Sequence, residues 1–160
     1  MSAPKLKAPL DVPLPAGADY LQGKLDREFP LVKHIGIAVE AADERGVRLS
    51  APLAANANHQ GTAFGGSLYC VAVLAGWGWL THYLDVHQLG AAAVIQESTI
   101  RYIKPVQGAL RATLTAPAAD EIERFRKMLR RAGRGRINLH VDILDGGTLA
   151  AEFDGVFAAS

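Results

Sequence analysis

The chain has 160 residues, enough for one domain with a real core and little more. With 49% hydrophobic and 21% charged residues it has a globular composition, not a disordered one. A formal net charge of +1 offers no global field that would favour nucleic acid.

The single cysteine, Cys70, has no partner for an internal disulfide, which suits a reducing compartment. The N-terminus MSAPKLKAPLDVPLPAG has lysines but lacks the apolar stretch of a secretory leader. A cytoplasmic protein is the expectation.

Pro4, Pro9, Pro13 and Pro15 make residues 1–17 read as an extended arm, leaving 18–160 as a single domain. ADYLQGKLDREFP spaces Tyr20, Leu21, Leu25 and Phe29 as a short amphipathic helix that Pro30 ends. KHIGIAVEAAD alternates through Ile35, Ile37 and Val39, and VRLSAPL aligns Val47, Leu49 and Ala51, so the two predict a β-hairpin turned by ERG. Residues 54–63 are irregular.

From Gly65 to about Leu84 the chain is apolar on every side. A helix of that length runs about 30 Å, enough for a bilayer. Strand-like segments on both sides, and no basic cluster at either end, favour burial within protein instead. Gly76 and Gly78 would then admit a neighbouring backbone or aromatic ring.

AAAVIQESTIRYIKPV predicts a long strand stopped by Pro105, with Val94, Gln96, Ser98, Ile100 and Tyr102 on one face and Ile95, Glu97, Thr99, Arg101 and Ile103 on the other. GALRATLTAP adds a fourth strand. ADEIERFRKMLRRAG predicts a helix with Ile122, Phe125 and Leu129 along one stripe and Gly133 at its end. RGRINLHVDILD and TLAAEFDGVFAA close the chain as a hairpin through Gly146-Gly147. The predicted order is α-β-β-α-β-β-α-β-β. An antiparallel sheet curled round the apolar helix, an α+β hot-dog fold, would cover that helix completely.

YLQGKLDREFPLVKHIGIAVEA, NHQGTAFGGS, AGW and STIRYIKPV together resemble the thioesterase domain family of the hot-dog superfamily, whose domain also occurs behind acetyltransferase domains in some bacterial proteins. The likeness spans roughly residues 19–158, and a stand-alone version is expected. The resemblance implies a homodimer or dimer of dimers joined edge to edge through its sheets. It implies hydrolysis of an acyl-CoA or acyl-carrier-protein thioester at the interface, in fatty acid metabolism, with no metal and no cofactor. Coenzyme A or phosphopantetheine would enter only as part of the substrate, and neither nucleic acid nor membrane is an expected partner. A non-catalytic acyl-thioester binder and a dehydratase remain alternatives.

Thioester hydrolysis needs a polarised carbonyl and an activated water. Unpaired N–H groups at a helix start supply the first, which points to Gly65, Gly66 and Ser67 beside Phe64. The same glycines could equally serve tight packing. Many hot-dog thioesterases place Asn upstream of G-x-x-H-G-G; the matching stretch here is NHQGTAFGG, which makes Asn58 a candidate to hold water or carbonyl. Phe64 stands where those relatives have His, and no acid follows on the helix. Glu97, eight residues before Pro105, is the substitute general base, as an Asp so placed is in some double-hot-dog thioesterases; pairing with a neighbouring Arg is the alternative.

His59 is a second candidate base. His34, His82, His87 and His140 lack metal-ligand spacing, and Cys70 reads as an inert thiol. Trp77, Trp79 and Tyr83 read as core or acyl-pocket walls. Phe64, Arg101 and Lys104 are candidate substrate contacts. Seven bases against three acids between residues 120 and 136 add Arg130, Arg131 and Arg134 as candidates to hold CoA phosphates or an acidic carrier, unless they only complement the helix dipole.

Overall fold

The computed structural model describes residues 17–160; the Pro-rich arm read over 1–17 lies outside them except for Gly17. Gly17 opens helix α1 (Gly17–Glu28), which buries Leu21 and Leu25. Helix α2 (Pro30–Ile35) follows at once, and strand β1 (Ala38–Asp43) begins only after it. This corrects the single strand read over 33–43. Pro30 occupies the first turn of α2, where its missing N–H has no helical partner to lose, and Gly36 ends that helix at φ 73. Pro30 therefore separates two helices, and Ile35 belongs to the second.

Strands β2 (Gly46–Ala51), β3 (Ala93–Tyr102), β4 (Leu110–Thr115), β5 (Gly135–Asp145) and β6 (Thr148–Ala159) join β1 in one sheet of order β1-β2-β4-β5-β6-β3. Every neighbouring pair is antiparallel. Gly146 and Gly147, at φ 57 and 81, make the two-residue turn between β5 and β6, a conformation that both glycines adopt without strain.

Helix α3 (Gly65–Val86) lies across the inner face of the sheet. It is long because past its first turn nothing in it breaks a helix but two glycines, and both are occupied: the Phe157 ring packs where a Gly76 side chain would be, and Leu21 packs on Gly78. Trp79 and Tyr83 are core residues, and Trp77 is half-buried. Each indole has a partner, Trp77 Nε1 donating to Ala93 O at 3.0 Å and Trp79 Nε1 to Glu44 O at 3.1 Å. Among the described residues no helix is long and apolar enough to cross a membrane. Helix α4 (Ala119–Ala132) rests Phe125 and Leu129 on β5 and ends at Gly133, φ 69.

The two edges of the sheet differ. Outside β1 lies α1, where Gln22 accepts the Val39 N–H and donates to Ile37 O. The outer edge of β3, ten residues long, has no neighbour among the described residues. β3 also carries a bulge: Ile95 pairs with Phe157 and Glu97 with Val156, so Gln96 is extra. The unbroken alternation read over 94–103 is thereby corrected. Ile95 faces α3 together with Ser98 and Ile100, while Val94, Gln96 and Glu97 are exposed.

Candidate active site

The loop before α3 is held by two asparagines. Asn56, 2% exposed, donates through Nδ2 to Ile35 O and Pro52 O, both at 2.8 Å, and its own carbonyl accepts the Phe64 N–H at 2.7 Å. Asn58 closes the loop tip: Oδ1 accepts the Gln60 and Thr62 N–H groups, and Nδ2 donates to Thr62 Oγ1 at 2.9 Å. Its side-chain amide is thus engaged inside its own turn, and His59 beside it is exposed. Asn56 escaped the sequence reading because the family motif draws attention to the second asparagine of NAN.

At the helix start Phe64 is extended, and no side chain caps α3. The Ser67 and Leu68 N–H groups both donate to Phe64 O, at 2.9 and 3.1 Å. Ser67 is therefore not a free donor, and its side chain is buried. Gly65 and Gly66 are left as the two amides without an acceptor among the described residues, at the positive end of a 22-residue helix. Two aromatic rings flank them. Phe64, 57% exposed, rests its ring against Gly66, and Tyr102, 50% exposed, packs on Gly65 and donates to its carbonyl at 2.7 Å. The packing that the glycines serve is this pair of rings.

From Gly65 a seam runs along α3 beside β3, through the half-buried Tyr69, Cys70, Val73 and Trp77. The Tyr69 and Ser98 hydroxyls are hydrogen-bonded across it, with Tyr69 edge-on to Phe153 at 5.6 Å. Burial raises the Cys70 thiol pKa, which keeps it protonated. Burial, then the proximity of Tyr69 and Cys70, raises that of Tyr102. The first acid on α3 is Asp85, far along the helix, where it receives hydrogen bonds from Tyr20 and Lys24.

Several residues chosen from sequence lie elsewhere in the protomer. Glu97 is exposed on the face of β3 opposite Ser98, and among the described residues it pairs with no Arg. Arg101 shares that outer face and pairs with Glu152. Lys104 is half-buried just beyond β3, its N–H donating to Ala150 O at 3.1 Å. Arg130, Arg131 and Arg134 are exposed at the far end of α3, where the Arg126 guanidinium lies close to Tyr83.

The outer face also gathers His140, Asp142, Asp154 and Glu152 across β5 and β6. His140 Nδ1 lies 2.8 Å from Asp154 and Nε2 2.9 Å from Asp142. His140, Asp142 and Glu152 could reach one cation together. Sequence spacing hides this group because strand pairing, not chain order, assembles it. It stands across the sheet from α3 and the free amides.

Residues 18–160 match the family described as "Putative thioesterase (yiiD_Cterm)". The chain belongs to this family. A solved protein from Chlorobaculum tepidum, described as of unknown function, is 30% identical, with a TM-score of 0.86 over 91% of this chain and 97% of that one. A protein from Shewanella oneidensis described as a "putative thioesterase", 26% identical, has a TM-score of 0.76 over 89% and 96%. A probable thioesterase from Pseudomonas aeruginosa, 21% identical, shares the fold with a TM-score of 0.77 over 91% and 97%. Family and fold together place this hot-dog chain among the thioesterases, with thioester hydrolysis as its reaction class.

Proposed function

We propose that the chain hydrolyses acyl-CoA or acyl-carrier-protein thioesters at the start of α3, in a homodimer joined through its β3 edges. The observation that carries this reading is the pair of free amides at Gly65 and Gly66, under two half-exposed rings and beside an uncapped helix start. Donors so placed stabilise the oxyanion that forms when water adds to the thioester carbonyl. The carbon–sulfur bond then breaks, and the proton lost by water passes to the departing thiolate. Water is lodged at the Tyr69–Ser98 hydroxyl pair, since Glu97 points outward and Asn58 is spent within its loop. The site uses no metal.

The dimer reading is supported by the unpaired ten-residue edge of β3 and the exposed apolar groups along it, Val94, Tyr102 and Ile103. An antiparallel partner strand would satisfy that edge and cover those groups.

The absence of a carboxylate on the seam also favours a non-catalytic acyl-thioester binder, so the test separates the two. Thiol release from short- and long-chain acyl-CoAs and acyl carrier proteins is followed with a disulfide dye, and light scattering gives the mass. Turnover by a dimer supports the reading. Tight acyl-CoA binding without turnover on any substrate would replace it with the binder.

A further inference from the structure

The outer face of the sheet carries a group of side chains that the chemistry at the start of α3 does not use. HVD on β5 and EFD on β6 each bury their middle residue, Val141 and Phe153, and turn the flanking polar pair outward. The strand register sets His140 opposite Asp154 and Asp142 opposite Glu152, so four ionisable groups share one patch of two adjacent strands. Carboxylates directly opposite each other on neighbouring strands repel, and Asp142 and Glu152 are such a pair. Among the described residues Arg101 of β3 is the one Lys or Arg that bridges to any of these carboxylates, and it reaches Glu152 alone, through Oε2. Three carboxylates against one guanidinium leave the patch at −2 while His140 is neutral.

The imidazole stands between two acceptors. An ionised carboxylate accepts hydrogen bonds only, and a neutral imidazole has one N–H to give. Nδ1 lies 2.8 Å from Asp154 and Nε2 2.9 Å from Asp142. With the Nδ1–H given to Asp154, the Nε2 lone pair faces the Asp142 oxygen. Either a second ring proton or a metal ion at Nε2 resolves this, and only the metal also draws in Glu152. The ligand atoms of His140, Asp142 and Glu152 lie within 4.8 Å of one another. Ligands of a tetrahedral zinc, bound at about 2.0–2.2 Å, stand about 3.4 Å apart. The side chains of His140 and Asp142, 49% and 45% exposed, have room to close that difference.

We propose that His140 Nε2, Asp142 and Glu152 bind one divalent transition-metal ion, zinc by preference, with Asp154 orienting the imidazole. Metal-ligating histidines commonly give their other ring N–H to a carboxylate, which fixes the tautomer and the ring, and Asp154 occupies that position here. A nitrogen ligand among oxygens selects against magnesium and calcium, which take oxygen ligands. Because its ligands come from two strands, the ion clamps β5 to β6, and water completes its coordination on the open face. The ion stands across the sheet from Gly65 and Gly66, so this inference holds whether or not the chain is a hydrolase.

The test titrates zinc chloride calorimetrically into the full chain, free of any affinity tag and stripped of metal with a chelator. One zinc per chain is expected, and added zinc should raise Tm, because the ion binds the fold and not the separated strands. His140→Gln and Glu152→Gln should each weaken binding at least tenfold, and Asp154→Asn about 10–100-fold although Asp154 does not touch the ion. Melting curves without metal confirm that each variant is folded. In nitrogen-15-labelled protein the His140 Nε2 resonance should move on adding zinc while Nδ1 keeps its proton. Binding unchanged by His140→Gln would put the zinc on another histidine or on Cys70 and overturn the proposal, as would the absence of binding at millimolar zinc. Magnesium or calcium bound as tightly as zinc would mark the group as an acidic patch that merely gathers cations, and likewise overturns it.

Discussion

The side-chain amide of Gln22 accepts the Val39 N–H at 2.7 Å, standing in for the strand that β1 lacks on its outer side. The same amide donates to Ile37 O, so one residue of α1 occupies the backbone groups by which β1 would recruit another chain. Gln22→Ala removes these two hydrogen bonds, worth about 0.5–1.5 kcal/mol each, together with a third from Nε2 to Asp26 within α1. The expected result is a Tm lower by roughly 3–8 °C, with light scattering that rises with protein concentration as the β1 edge opens. A melt indistinguishable from wild type would show that Gln22 guards nothing.

Gly65→Pro isolates one free amide from the fold. Proline is welcome at the first position of a helix, and the extended Phe64 before it is the conformation a proline demands of its neighbour. A Cβ at Gly65 would meet the Tyr102 ring at 3.2 Å, so that ring must yield slightly. Removing an oxyanion donor costs about 10²–10³ in kcat, and Tm should stay within a few degrees. Unchanged turnover would remove Gly65 from the chemistry.

Tyr69 and Glu97 are separated by their faces of β3. Tyr69→Phe deletes the hydroxyl bonded to Ser98 and keeps the ring on Phe153, so kcat should fall about tenfold with little change in KM. Glu97→Gln should leave kcat/KM within about twofold of wild type. The reverse pattern would restore Glu97 as the base.

His82 and His140 should pull the pH dependence of stability in opposite directions. His82 is 4% exposed and among the described residues neither ring nitrogen has a partner; burial lowers its pKa against the weaker pull of Asp85, Glu44 and Asp43. As pH falls through the unfolded value of about 6.5, the unfolded chain takes a proton that the fold refuses, and stability declines. His82→Leu should therefore narrow the gap in Tm between pH 7.5 and pH 5. For His140, burial lowers the pKa, but hydrogen bonds to Asp154 and Asp142 prevail and raise it. Its contribution is present below about 6.5 and fades as pH rises through the raised value. His140→Gln should lower Tm at pH 5.5 and leave it nearly unchanged at pH 9.

α3 is legible in the sequence because twenty residues without a charge fit nothing else between strands of so small a chain. α2 is not, because Ile35, Ile37 and Val39 happen to alternate across the end of a helix, and that period outweighs the quieter signals of Pro30 and Gly36. Gln96 shows a second limit. One extra residue reverses the faces assigned to Val94 and Ile95, and nothing in AAAVIQES marks where it falls. The glycines at the helix start were readable, but which amides stay free depends on Phe64 O taking two of them. Nor does composition reveal at which end of α3 the arginines of α4 lie; strand order and direction decide that.

Phe64 gives the proposed site an occupant of its own. With its ring resting in the space beside Gly66, a substrate must compete with a tethered side chain before it meets the amides. The apparent affinity of any ligand is then its intrinsic affinity multiplied by the fraction of chains whose ring has swung aside. A smaller residue at position 64 would lift that tax and tighten binding, while leaving both donors wet between turnovers. Tightness and dryness thus trade against each other through the rotamer of a single phenylalanine.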